Sequence, residues 1–121
     1  MNVNELIVDA GTAIGYPVEQ DIYEGTSEKS ITFTYEDERD SLVGDDEDMY
    51  ETAYLMISMN TPKDYDYFKD KEKLKKELQK RDFNVENIQS WLEEPLKGVK
   101  KTRRTIFTVN ITKKVESGGE E

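Results

Sequence analysis

Residues 50–74, YETAYLMISMNTPKDYDYFKDKEKL, change their repeat part-way along, and that change decides the fold. Over residues 50–60 apolar and polar positions alternate. Ala53, Leu55, Ile57 and Met59 fall on one side, the pattern of a strand that buries a single face. Thr61-Pro62-Lys63-Asp64 then carries the marks of a helix start: a Thr able to cap, a Pro at the first helical position where its missing N–H costs nothing, and an acid at the third. Beyond it Tyr67, Lys71, Leu74, Leu78 and Arg81 share one stripe with Phe68 beside it, and Glu72 precedes Lys76 in the favoured orientation. Such a helix would run roughly 28 Å, enough to cross a small sheet.

Upstream, Val3, Leu6, Ile7, Ala10, Ala13 and Ile14 recur at helical spacing behind Asn2 and Glu5, the two ends of a capping box. Gly15-Tyr16-Pro17 ends this helix, since Gly accepts the left-handed conformation and the residue before Pro is driven extended. Residues 18–24 and 29–38 read as two strands of a hairpin around Gly25-Thr26-Ser27, the second alternating Ile31, Phe33 and Tyr35 with Ser30, Thr32 and Thr34. Residues 39–48 read as a loop. Downstream, residues 83–92 and 102–115 form the last two strands, separated by the turn-rich Glu94-Pro95-Leu96-Lys97-Gly98. Residues 116–121 read as a flexible polar tail. The order α-β-β-β-α-β-β predicts an α+β fold: a largely antiparallel sheet of about five strands with two helices packed on it, in one domain over residues 1–115.

A chain of 121 residues with 36% charged and 35% hydrophobic residues has the size and balance of one folded domain under a heavily charged surface. It contains neither Cys nor His, which removes disulfides, thiolate nucleophiles, imidazole bases and the usual zinc ligands together. No apolar run approaches the ~20 residues of a membrane-spanning helix. The opening MNVNELIVDAG lacks a basic flank and a cleavage-like site, so the expectation is a cytosolic protein, and Asn110-Ile111-Thr112 carries no weight as a glycosylation sequon. The net charge of −10 is unevenly distributed: residues 1–60 hold 15 acids and 2 bases, residues 61–121 hold 12 acids and 15 bases. An acidic face and a more basic one would suit head-to-tail self-association.

Three groups of residues are candidates for chemistry or binding. Asp45, Asp46, Glu47 and Asp48 place acids side by side with no following Gly, which does not match the alternating oxygens and sharp glycine turn of a calcium loop. They read as a solvated loop facing a neighbouring subunit. Lys97, Lys100, Lys101, Arg103 and Arg104 form the one concentrated basic run. It could grip phosphates, but it lacks an aromatic residue for stacking on bases, and an acidic protein patch, such as another copy's Asp45, Asp46, Glu47 and Asp48, suits it better. Trp91, Tyr65, Tyr67, Phe68 and Phe83 read as core and helix-to-sheet contacts. No phosphate loop, nucleophile elbow or metal-ligand spacing is present, and no catalytic residue, cofactor or metal is expected.

The serial pattern resembles the tail terminator proteins of long-tailed bacteriophages, also called tail completion or tail-to-head joining proteins. The resemblance spans residues 3–113. It rests on the N-terminal helix ending in GYPV, on SITFTYEDER with its continuation GDDEDMYE, on YLMISMNTPKDYDYF leading into a Lys-rich helix, on RDFNV, and on the closing RRTIFTVNI. Where relatives tend to have Gly before the Phe of the helix exit, this chain has Asp82, a residue type that also visits the left-handed region. The resemblance implies a non-enzymatic virion protein at the head-proximal end of the tail, assembled in the bacterial cytoplasm. It implies a homo-hexameric ring that caps the tail tube protein, stops tube polymerisation and presents the surface for the head-tail connector protein, with DNA passing through unbound and no membrane involved. The acidic and basic runs would sit at those contacts. A head-tail connector protein and an acidic DNA-mimic inhibitor are the alternatives.

Overall fold

The computed structural model describes residues 2–42, 49–93 and 101–115. Asp45, Asp46, Glu47, Asp48, Lys97 and Lys100, the turn at 94–98 and the tail at 116–121 lie outside the described residues. The elements are α1 (Val3–Ala13), β1 (Val18–Gln20), β2 (Ser30–Leu42), β3 (Met49–Pro62), α2 (Phe68–Lys80), β4 (Asn84–Glu93) and β5 (Thr102–Val115). The fold is α+β, as the element order predicts, with one mixed five-stranded sheet in the order β1-β2-β3-β5-β4.

Both ends of α1 and the C-terminal end of α2 are bounded by local backbone chemistry. At the start of α1 the Asn2 side chain accepts the Glu5 N–H at 2.9 Å while the Glu5 carboxylate accepts the Asn2 N–H at 3.0 Å, a complete capping box. At its end Gly15 takes φ +86°, and the Tyr16 and Gly15 N–H groups donate to the carbonyls of Gly11 and Thr12. α2 ends in the same Schellman pattern: Asp82 has φ 73°, and the Phe83 and Asp82 N–H groups donate to Leu78 and Gln79. In each case the next residue is a buried aromatic, Tyr16 or Phe83, so the cap also drives a ring into the core.

Three boundaries differ from the sequence expectation. Residues 18–24 and 29–38 do not make a hairpin. β1 has three residues and runs parallel to β2, with Val18 opposite Ile31 and Gln20 opposite Phe33. Asp21, at φ 67°, donates its N–H to the Phe33 carbonyl, and the Ile22 N–H turns back onto Gln20 at 2.7 Å, so the chain leaves the sheet there. Residues 39–42 are strand rather than loop, because β2 stays paired with β3 as far as Leu42 opposite Met49. Thr61 and Pro62 do not start a helix: they finish β3 opposite Arg103 and Thr102, and α2 begins at Phe68 with Tyr67 as a cap that makes no side-chain bond. Thr61 extends the inward row of Ala53, Leu55, Ile57 and Met59 and is fully buried, and that burial overrides its capping tendency. The shorter α2 is about 20 Å long.

The core lies between the helices and one face of the sheet. Ile7 and Ala10 of α1 and Leu74 and Leu78 of α2 pack on Ile31, Phe33, Leu55, Ile57, Phe107 and Val109. Among the described residues no helix covers the other face, where Thr34, Met56, Thr108 and Asn87 form one cross-strand row.

Candidate interaction surfaces

The long strands β2, β3 and β5 put the described residues that flank the two charged runs at opposite ends of the sheet. At one end Leu42, Met49 and Val115 are neighbours, and the chain between Leu42 and Met49 carries Asp45, Asp46, Glu47 and Asp48. Residues 36–51 contain nine acids and one base, so most of the net charge of the chain belongs to this stretch of sequence. At the other end, roughly 45 Å away along β3, Pro62, Thr61 and Asn60 pair with Thr102, Arg103 and Arg104. Residues 97–104 contain five bases and no acid.

Of the predicted basic residues, Lys101, Arg103 and Arg104 are described, and β5 sends the two arginines to opposite faces. Arg103 lies on the helix side with its guanidinium 4.8 Å from the Tyr67 ring centroid. Tyr67 stacks on Phe68 at 4.7 Å, and the Lys71 ammonium sits 4.7 Å from the Phe68 ring. On the other side Arg104 donates from Nε to Ser58 Oγ at 2.9 Å and stands 3.9 Å from the Glu93 carboxylate, which also accepts the Trp91 indole N–H at 2.6 Å. The result is a band of aromatic rings and cations wrapped around one end of the sheet.

The sequence expectation of buried aromatics holds only in part. Phe83 is core and Tyr67 packs against it, but Phe68 is 58% and Trp91 41% exposed. A signal was available for Trp91. Ile88 packs inward, and strand alternation then turns residues 90 and 92 inward and residue 91 out.

A polar cluster ties the helices together. Asp70, nearly buried in the first turn of α2, accepts hydrogen bonds at 2.6 Å from both Tyr16 and Tyr65, and the Lys29 ammonium stands 3.3 Å from the Tyr65 hydroxyl. Burial acts to raise the pKa of Asp70, but the two phenol hydrogen bonds and the charges of Lys29 and Lys73 outweigh it and hold the carboxyl below its ordinary value. Burial first, and then the bond to Asp70, push the Tyr16 phenol far above its usual range. A low carboxylate beside a high phenol is the reverse of an acid–base pair poised near neutrality. The cluster joins the end of α1 to the start of α2.

A cavity of about 700 Å³ opens where β2 begins and β3 ends, lined by Ser27, Ser30, Asn60, Lys63, Asp64 and Lys101 among others. Its lining mixes hydroxyl and amide groups with charges of both signs. Among the described residues no group of three or more acidic side chains could hold a metal ion, and no helix is long and apolar enough to cross a membrane.

No family model and no curated protein matches the chain. Among solved structures, it is similar to the type 4 fimbrial biogenesis protein PilO from Pseudomonas aeruginosa, at 12% identity and TM-score 0.47, over 93% of this chain and 69% of that one. It is also similar to the sheath/tube terminator, in its extended state, of the extracellular contractile injection system PVC, at 9% identity and TM-score 0.41, over 98% of this chain and 62% of that one.

Proposed function

We propose that this chain is a structural assembly protein of a phage-type tail, a terminator that closes into a ring on the tail tube, ends its growth and offers a surface to the head connector. The observation that carries this reading is the layout of charge along the chain: the sequence joining β2 to β3 at one end of the long strands is acidic, and a band of cations and rings lies at the other end. Opposite fields on different patches of one molecule steer copies into heterologous contacts, which make a ring when the rotation closes. The role asks nothing catalytic of the residues, and the reading assigns none.

The test is particle mass by light scattering after size exclusion, over a range of protein and salt concentrations. The expected result is a monomer that converts to a ring-sized species as concentration rises, with the transition moving to higher concentration in salt. Reversing Lys100, Lys101, Arg103 and Arg104 to Glu should suppress that species while the circular dichroism of the monomer is kept. A wild-type protein that stays monomeric throughout, or a reversed variant that assembles as the wild type does, overturns the reading.

A further inference from the structure

The two outer edges of the sheet are unequal to the task of ending it. β1 covers β2 only at residues 31–33, because Asp21 turns the chain out of the sheet after Gln20. From Thr34 to Leu42 the outer side of β2 has no strand beside it among the described residues. At the other edge β4 pairs with β5 along its length and has no second neighbouring strand among the described residues. β4 contains neither Pro nor Lys, and its one irregularity lies near its start, between Val85 and Asn87, leaving residues 87–93 regular and open. Natural edges are usually blunted by such residues, and an unblunted edge is a template for another strand.

We infer that β4 of one copy pairs with the open stretch of β2 of a second copy, so that the sheet runs on from subunit to subunit. This rests on the ring proposed above and names the surface that closes it. Four features fit the two edges to each other. β2 and β4 run in opposite directions within the sheet, so copies in the same orientation meet antiparallel. The stretches with no strand on their outer side among the described residues match in length, nine residues on β2 against ten on β4. The backbone also agrees: the Ile31 N–H and Phe33 carbonyl point outward to Pro17 and Asp21. Carried across four antiparallel strands, the alternation of paired and unpaired rows leaves the helix-facing residues of β4, Ile88, Ser90 and Leu92, pointing their own groups outward. Charge agrees as well, as the register shows.

β1 sets that register, because Thr34 is the first open position. Placing Glu93, the last residue of β4, opposite it brings the two open stretches fully together. Within one molecule Thr34 lines up through Met56 and Thr108 with Asn87, so the neighbour is displaced by six residues, about 20 Å along the strands. Tyr35 then meets Leu92, and the bulge before Asp37 brings Asp37 opposite Trp91, with Glu36 and Glu38 close by. These acids arrive one strand away from Arg103 and Arg104. A shift of about 20 Å over four strands spaced by about 4.8 Å tilts the strands by about 45°, near the tilt at which sheets close on themselves.

The chain has no cysteine, which makes cross-linking a clean test. In one molecule residues 34 and 93 are three strands apart, beyond the reach of a disulfide. The double variant Thr34→Cys, Glu93→Cys, oxidised under assembly conditions, should give a ladder of covalent multimers ending at the ring size. The pair Thr34→Cys, Asn87→Cys, which only an unstaggered contact would join, should give none. Leu92→Pro removes an outward N–H that β5 does not use, and should raise the concentration for half-assembly at least tenfold while the monomer stays folded. If the wild type assembles but the 34/93 pair does not cross-link and Leu92→Pro assembles normally, the edge pairing is wrong and the ring stands. Cross-linking through 34/87 instead overturns the register. A wild type that never assembles overturns both the edge pairing and the ring.

Discussion

Asp70 shows how one side chain can hold two helices in place. Because its folded pKa lies below the ordinary 3.8, its contribution to stability is complete above that value and is lost as the pH falls through the folded value. Asp70→Asn should therefore cost about 1–3 kcal/mol at pH 7, and urea unfolding should show the gap to wild type shrinking in acid. A gap that stays constant down to pH 2 would mean that the charge does not matter to Tyr16 and Tyr65. Thr61 presents the opposite case. Its hydroxyl is fully buried and has no hydrogen-bond partner among the described residues, so Thr61→Val should be stabilising by about 1 kcal/mol, as a rise in the urea midpoint. The two residues were not equally legible in sequence. Thr61 carries strong helix-start chemistry in its neighbours, and only its place in the inward row of β3, a non-local fact, reveals it as strand. At Asp82, where relatives tend to have Gly, the chain still takes the left-handed conformation, φ 73°.

At the scale of elements, α1 rests on the sheet edge through Gly11. A β-carbon there would stand 2.2 Å from Val18 Cγ2 and 3.1 Å from Ile31 Cδ1. Gly11→Ala should accordingly destabilise the fold by about 1–3 kcal/mol despite the better helix propensity of Ala, measurable by thermal or urea unfolding; an unchanged midpoint would mean that α1 shifts freely over β1. Elements with local signatures were readable from sequence: the capping box of α1, the alternation of β3 and of residues 30–35 in β2, and the glycine stop of α1. Those set by pairing were not. The parallel course of β1 depends on Asp21 bonding to Phe33, twelve residues on, and the extension of β2 through its acidic residues depends on β3 lying alongside. The band of rings and cations was half visible, as a basic run; the exposed Phe68 enters it only because α2 starts later than its sequence suggests.

For the whole molecule, the sheet order separates neighbours in sequence and joins strangers. β5, the last strand in chain order, lies between β3 and β4 and holds the central pairing of residues 49–62 with 102–115. Long-range pairings of this kind slow folding, because a large loop must close before any contact rewards it. Refolding from urea should be a single slow process, in milliseconds to seconds, and replacing Phe107 by Ala should slow it as well as weaken the fold; fast formation of a protected β2–β3 pair ahead of β5 would contradict this. During synthesis the arrangement has a further effect. Until β5 emerges from the ribosome, β3 has a bare side and β4 has no strand to join, so a chain broken off early has no finished sheet. Such an interrupted chain lacks both the partner of β3 on that side and the one neighbour that β4 has among the described residues, so the sheet cannot be completed piecemeal from β1 to β4 alone.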